Sequence, residues 1–205
     1  NIRIVLNHFK GRIKNWDCVN ESLDVFKASY HNNIYHKYLG KEYIADAFRY
    51  AHEIDPDVEL YLNEQFDEYD SEKALFFLEV VKELIEIKVP IHEVGILAHA
   101  LFTIPDLEAF EWFIGELSAL GLKREITELD ARLRLFDDYE DPYKAQGDFY
   151  NQFITICIKN QACQGVTIWS LNDKINCYDK ISVFNFYKPN LPNLFDEDMH
   201  KKPTY

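Results

Sequence analysis

Two glutamates, Glu21 and Glu128, each end a short apolar run of the kind that forms a strand. Two carboxyls brought together at one mouth are what hydrolysis of a glycosidic bond needs. One holds a proton for the leaving oxygen, and the other attacks the sugar or activates a water. Asn20, Asn63, His99 and Trp169 occupy the same kind of place, a polar or aromatic residue closing an apolar run. Taken singly these residues carry little weight. With 35 acidic residues in the chain, a glutamate after a strand is more often solvated or capping a helix. A lone histidine is more often a satisfied core group, and a lone tryptophan a core aromatic. Their convergence at the ends of successive strands lifts each above that reading.

The elements that must position them alternate. Apolar runs over 13–20, 58–63, 91–98, 123–129 and 165–171 read as strands. Helical patterns cover 1–9, 41–54, 71–87, 107–120 and 149–159, while prolines keep the 189–205 tail loop-like. Ser71 is expected to cap its helix, with Leu75, Leu78, Val81, Leu84 and Ile85 recurring along one face. Repeated βα alternation predicts an α/β fold with a parallel sheet. The strand ends recur about one βα unit apart, and in a βα barrel those ends converge on one mouth. An open doubly wound sheet competes, but it usually carries a glycine-rich first turn, which this sequence lacks.

Composition narrows the function classes. The net charge of −13 argues against nucleic acid and anionic membranes as partners, because phosphate binding needs a basic face. No apolar run is long enough for a transmembrane helix. The chain has no signal-peptide pattern and opens on Asn1, so it is expected to be a processed or partial polypeptide. Its four cysteines have no zinc-site spacing, and no metal site is expected. From spacing alone, Cys157 and Cys163 are open to either a disulfide or two reduced, buried thiols.

Six motifs resemble those of glycoside hydrolase family 10, the retaining endo-β-1,4-xylanases. Asn15-Trp16-Asp17-Cys18-Val19-Asn20-Glu21 resembles the family's W-D-V-V-N-E, and Leu60-Tyr61-Leu62-Asn63-Glu64 its L-x-x-N-D. Val94-Gly95-Ile96-Leu97-Ala98-His99 resembles V-G-L-Q-x-H, and Ile126-Thr127-Glu128-Leu129-Asp130 matches I-T-E-L-D. Gly165-Val166-Thr167-Ile168-Trp169, followed by Asp173, is similar to G-V-T-V-W-G-V-x-D, and Lys202-Pro203-Thr204-Tyr205 to K-P-A-Y. They occur in the family's order across nearly the whole chain.

The resemblance implies roles. Glu21 matches the general acid/base, and Glu128 the nucleophile that forms a covalent glycosyl-enzyme. Asn20 matches the residue that bonds the sugar 2-hydroxyl, an interaction that strengthens in the transition state. Asn63 falls among the substrate-binding positions. His99 matches the histidine that orients the nucleophile, and Asp130 the acid paired with that histidine. Trp169 matches an aromatic platform under a sugar ring. A retaining mechanism implies carboxyls about 5–5.5 Å apart. The resemblance also implies a Cys157–Cys163 disulfide and, with it, secretion. No cofactor is implied; the implied partner is β-1,4-xylan or a related plant polysaccharide.

The sequence departs from the family at Leu97 (usually Gln), Gln65 and Phe66 (usually Tyr and Asn), Ser170 (usually Gly) and Cys177 (a second Trp). One sugar platform is therefore missing. The alternatives to a xylanase are a degenerate, non-catalytic β-glycan-binding barrel and a hydrolase of another β-1,4-glycan. Residues 1–205 are expected to form part of one catalytic (β/α)8 TIM barrel, about strands 4 to 8. Five strands cannot close it, so strands 1 to 3 are expected from another segment of the same or a second chain.

Overall fold

The computed structural model describes residues 1–180 and 189–205. Helices and strands follow in the order α1 (Ile2–Phe9), β1 (Asn15–Asn20), α2 (Ile34–Leu39), α3 (Tyr43–Ile54), β2 (Glu59–Gln65), α4 (Glu72–Glu86), β3 (Glu93–Leu97), β4 (His99–Ala100), α5 (Leu107–Ala119), β5 (Lys123–Ala131), α6 (Pro142–Lys159) and β6 (Cys163–Ile168). Every pairing between these strands is parallel, and the long strands lie side by side in chain order: β1, β2, β3, β5, β6. A doubly wound sheet reverses direction part-way along; this one winds a single way, as the wall of a βα barrel does. The two-residue β4 follows β3 after Ala98 and pairs with the far end of β5, His99 opposite Asp130. The five expected strands are thus present, with β3 extended by β4. Among the described residues β1 pairs only with β2, and β6 only with β5.

Alternation along the strands sorts the side chains by face. Leu60, Leu62, Val94, Ile96, Ile126 and Leu129 are all essentially buried, in one cluster with Phe48, Phe77, Phe110, Phe113 and Phe153 from the helices. Each such side chain contributes about 1.5–3 kcal/mol of transfer free energy. The intervening residues are mostly polar: Glu59, Tyr61 and Asn63 on β2, Glu93 and Gly95 on β3, and Lys123, Glu125 and Thr127 on β5.

Three local expectations are corrected. Leu75 is 47% exposed, and the buried face of α4 instead carries Ala74, Phe77, Leu78, Val81 and Leu84, because Phe77 has far more apolar surface to bury. Ser71 does cap that helix, accepting from Ala74 N at 3.2 Å. Helix α6 begins at Pro142 rather than 149; Asp141 caps it through Lys144 N at 3.0 Å, and proline suits a first turn whose N–H has no helical partner. Helix α2 was not expected; Asn33 caps it through His36 N, and Gly40 at φ 69° ends it. No described helix is long and apolar enough to cross a membrane. A Cys157–Cys163 disulfide ties the last turn of α6 to the start of β6, leaving Cys18 and Cys177 free.

Candidate active site

The register of β5 slips against β6 between Ile126 and Leu129. A bulge resets strand alternation. Consequently Ile126 and Leu129 are both buried in the core, while consecutive Thr127 and Glu128 both reach polar partners on strands β2 and β4. Glu128 therefore lies within a strand, not at its end as the sequence pattern suggested, and β5 runs on to Ala131. Its Oε2 accepts from His99 Nε2 at 3.0 Å, and His99 Nδ1 donates to Asp130 Oδ1 at 2.7 Å. Burial pulls the imidazole down, but hydrogen bonds to Asp130 and Glu128, with their charges, outweigh it and raise His99 to about 9. His99 at neutral pH is then an imidazolium between two carboxylates. Asp130 is buried, which pushes its carboxyl up, while the bonds it receives from His99 and Tyr178 pull it back.

The opposite carboxyl is held differently. Glu21 follows β1 at φ 50°, a backbone region that costs a non-glycine residue about 1–2 kcal/mol. Its amide N–H donates to Asn63 O at 2.9 Å, and its side chain is exposed. The next residues are fastened by Glu64, which is fully buried and accepts from Leu23 N at 2.9 Å and Ser22 Oγ at 3.4 Å. Lys73 from α4 pairs with Glu64 at 3.1 Å. Burial raises Glu64, and Lys73 opposes that rise.

Between the two sides runs a chain of amides. Thr127 Oγ1 donates to Asn63 Oδ1 at 2.7 Å, and Asn63 Nδ2 donates to Asn20 Oδ1 at 2.8 Å. Asn20 Oδ1 is taken up by this bond, which leaves the Asn20 NH2 as the amide end not engaged with Asn63. Gly95 makes room for this. A Cβ there would overlap the Asn63 side-chain oxygen and crowd Thr127 Cγ2 at 3.0 Å.

Asn20 is exposed, whereas Asn63, also expected at the substrate, is buried and donates to Asn20. Trp169 follows β6, is 38% exposed, and meets His99 edge-on with centroids 6.0 Å apart. Ser170, at φ 75°, occupies a conformation that favours glycine. Burial and nearby Asp130 push the Cys177 thiol up to about 11. Burial and the charges of Glu128 and Glu125 raise Asp17, a further carboxyl on this inner face. Sequence reasoning missed two supports: Glu64 with Lys73, and Tyr178. Tyr61 and Tyr178, both on this side of the sheet, are buried. Among the described residues no cluster of three or more His, Cys, Asp or Glu could hold a metal ion.

The sequence profile of glycosyl hydrolase family 10 matches residues 1–205. Endo-1,4-beta-xylanase A of Humicola insolens is 34% identical over 205 residues, covering 100% of this chain and 53% of that protein. The crystal structure of native xylanase 10B from Thermotoga maritima superposes with a TM-score of 0.87 at 33% identity, covering 100% of this chain and 61% of that one. Xylanase 10B from Thermotoga petrophila RKU-1, solved in complex with xylobiose, superposes with a TM-score of 0.87 at 32% identity and 61% coverage of its chain. The chain therefore spans between half and two thirds of the length of these relatives.

Proposed function

The chain belongs to glycosyl hydrolase family 10, and from that premise we propose that it supplies both catalytic carboxyls of a retaining endo-β-1,4-xylanase. The observation that carries the reading is the Glu128–His99–Asp130 relay, facing the same strand ends as Asn20 and Glu21. Glu128 attacks the anomeric carbon while Glu21 protonates the departing glycosidic oxygen. Glu21 then removes a proton from the water that displaces Glu128, restoring both groups and the anomeric configuration. The Asn20 NH2 donates to the 2-hydroxyl of the sugar being cleaved, and the half-exposed face of Trp169 carries a ring.

A (β/α)8 barrel needs further strands beside β1 and β6. A βα segment from the same or a second chain completes it, so residues 1–205 are one part of a catalytic domain. The Cys157–Cys163 bond suits an oxidising compartment and supports secretion.

In the completed protein, Glu128→Gln abolishes sugar release from xylan; undiminished release sinks the nucleophile assignment. Melting the 205-residue chain alone, followed by circular dichroism, tests the need for a completing segment. A broad transition is expected, and a cooperative high-temperature one refutes it. A second reading, a hydrolase or binder of another β-1,4-glycan, draws on Cys177 and Leu97 in place of the family's Trp and Gln. Turnover of cellulosic but not xylan oligomers selects the first form, and binding without turnover the second.

A further inference from the structure

Tyr178 opens a 3-10 turn, Tyr178–Lys180, beyond β6. It is wholly buried, yet it carries a hydroxyl. That hydroxyl donates to Asp130 Oδ1, the oxygen that also accepts from His99 Nδ1. A buried phenol needs a hydrogen-bond partner, and a charged acceptor makes that bond stronger. The ring stands edge-on to His99 at 6.4 Å and 87°, with the Arg132 guanidinium 6.0 Å from its centroid. The turn itself is pinned back to the nucleophile strand. Asn176 Nδ2 donates to Asp173 O at 2.7 Å and to Asp179 Oδ2 at 2.8 Å. Asn190 Nδ2 donates to Asp179 Oδ1 at 2.7 Å, and Leu133 N, just past β5, donates to Asn190 O at 2.8 Å.

We propose that Tyr178 is a positioning residue for Glu128, acting through Asp130 and His99. Its hydroxyl holds Asp130 as an anion, and so keeps both ring protons on His99, one of them directed at Glu128. The proposal rests on reading Glu128 as the nucleophile.

The need for such a donor is electrostatic. Burial and the charge of Glu128 both favour a protonated Asp130. Were Asp130 to take the Nδ1 proton, His99 would be neutral, and the nucleophile would lose its facing cation. A hydroxyl on Asp130 Oδ1 stabilises only the anion and so returns the proton to the ring. His99 faces Glu128 and Asp130 from β5, Trp169 from beyond β6, and Tyr178. Asp130 also senses Tyr150 on α6 and Cys177.

Tyr178→Phe in the complete protein tests this. The expected result is about a tenfold fall in kcat on xylan with KM within about twofold. At pH 7 the ring-nitrogen NMR signals of His99 should also move from doubly protonated toward neutral values. An unchanged kcat, a change confined to KM, or a lowered kcat with His99 still fully cationic each overturns the proposal. If the phenylalanine variant does not fold, site-specific 3-fluorotyrosine at 178 keeps the shape and sharpens the donor. His99 then stays cationic and kcat stays within about twofold, and a shift toward neutral imidazole overturns the idea. The NMR arm does not depend on turnover. An active Glu128→Gln variant therefore marks failure of the nucleophile reading separately from failure of the relay.

Discussion

Glu21 and Glu128 face the same mouth but are held by opposite means. Around Glu21 the backbone is restrained and the carboxyl is left exposed. Its amide is bonded to Asn63 O, its φ is 50°, and Glu64 fastens Ser22 and Leu23. Around Glu128 the carboxyl itself is gripped, through His99, Asp130 and Tyr178, with only 14% of its side chain exposed. The difference fits the two tasks proposed for them. An acid/base gives up and regains a proton in each turnover and benefits from access to leaving group and water. A nucleophile serves as an anion of fixed direction, which a facing donor maintains.

The largest expected effects sharpen this division of labour. Glu128→Gln should lower kcat by about 10⁴-fold or more on any substrate, because nothing else forms the covalent bond. Glu21→Gln should cost about 10²–10⁴-fold on xylan, but far less on an aryl xyloside whose leaving group needs no proton. Comparing initial rates of both variants on both substrates checks the assignment. Equal losses for Glu21→Gln on the two substrates would show that it is not the acid.

The next effect concerns the foundation of the Glu21 arm. Lys73 and Glu64 have side chains only 8% and 1% exposed. Lys73→Met strands a buried carboxylate and should destabilise the protein by about 3–5 kcal/mol, whereas adding Glu64→Gln should recover part of that loss. Urea unfolding measures both. A cost below about 1 kcal/mol for Lys73→Met would mean that Glu64 is not an anion under strain in the core, and the contrast between the two arms would weaken.

These supports also mark where sequence stops being informative. Glu21, Asn20, Glu128 and Asp130 could be picked out as candidates because each lies in a short contiguous run that resembles a family motif. The caps of α2 and α6 were equally local, Asn33 with Gly40 and Asp141 with Pro142, and could have been found. Glu64 was not legible, because its partners come from the loop after a different strand and from α4. Tyr178 reaches Asp130 across 48 residues, with no periodicity linking them. Nor does the β5 bulge leave a signature, since I-T-E-L reads equally well as plain alternation, which would put Thr127 and Glu128 on opposite faces.

The smallest expected effect tests the Glu128 arm through stability. His99 is raised from 6.5 to about 9 by its two carboxylate partners. Between those values the folded protein binds a proton that the unfolded chain releases. The relay's contribution is therefore complete below about pH 6.5 and is lost as pH rises through about 9. The shift corresponds to at most about 3–4 kcal/mol. His99→Gln cannot titrate, so the difference in unfolding free energy between wild type and this variant should shrink across that window. Urea curves at half-unit steps from pH 6 to 9.5 measure it. A constant difference would mean that His99 is neutral in the folded state, and then neither Glu128 nor Asp130 faces a cation.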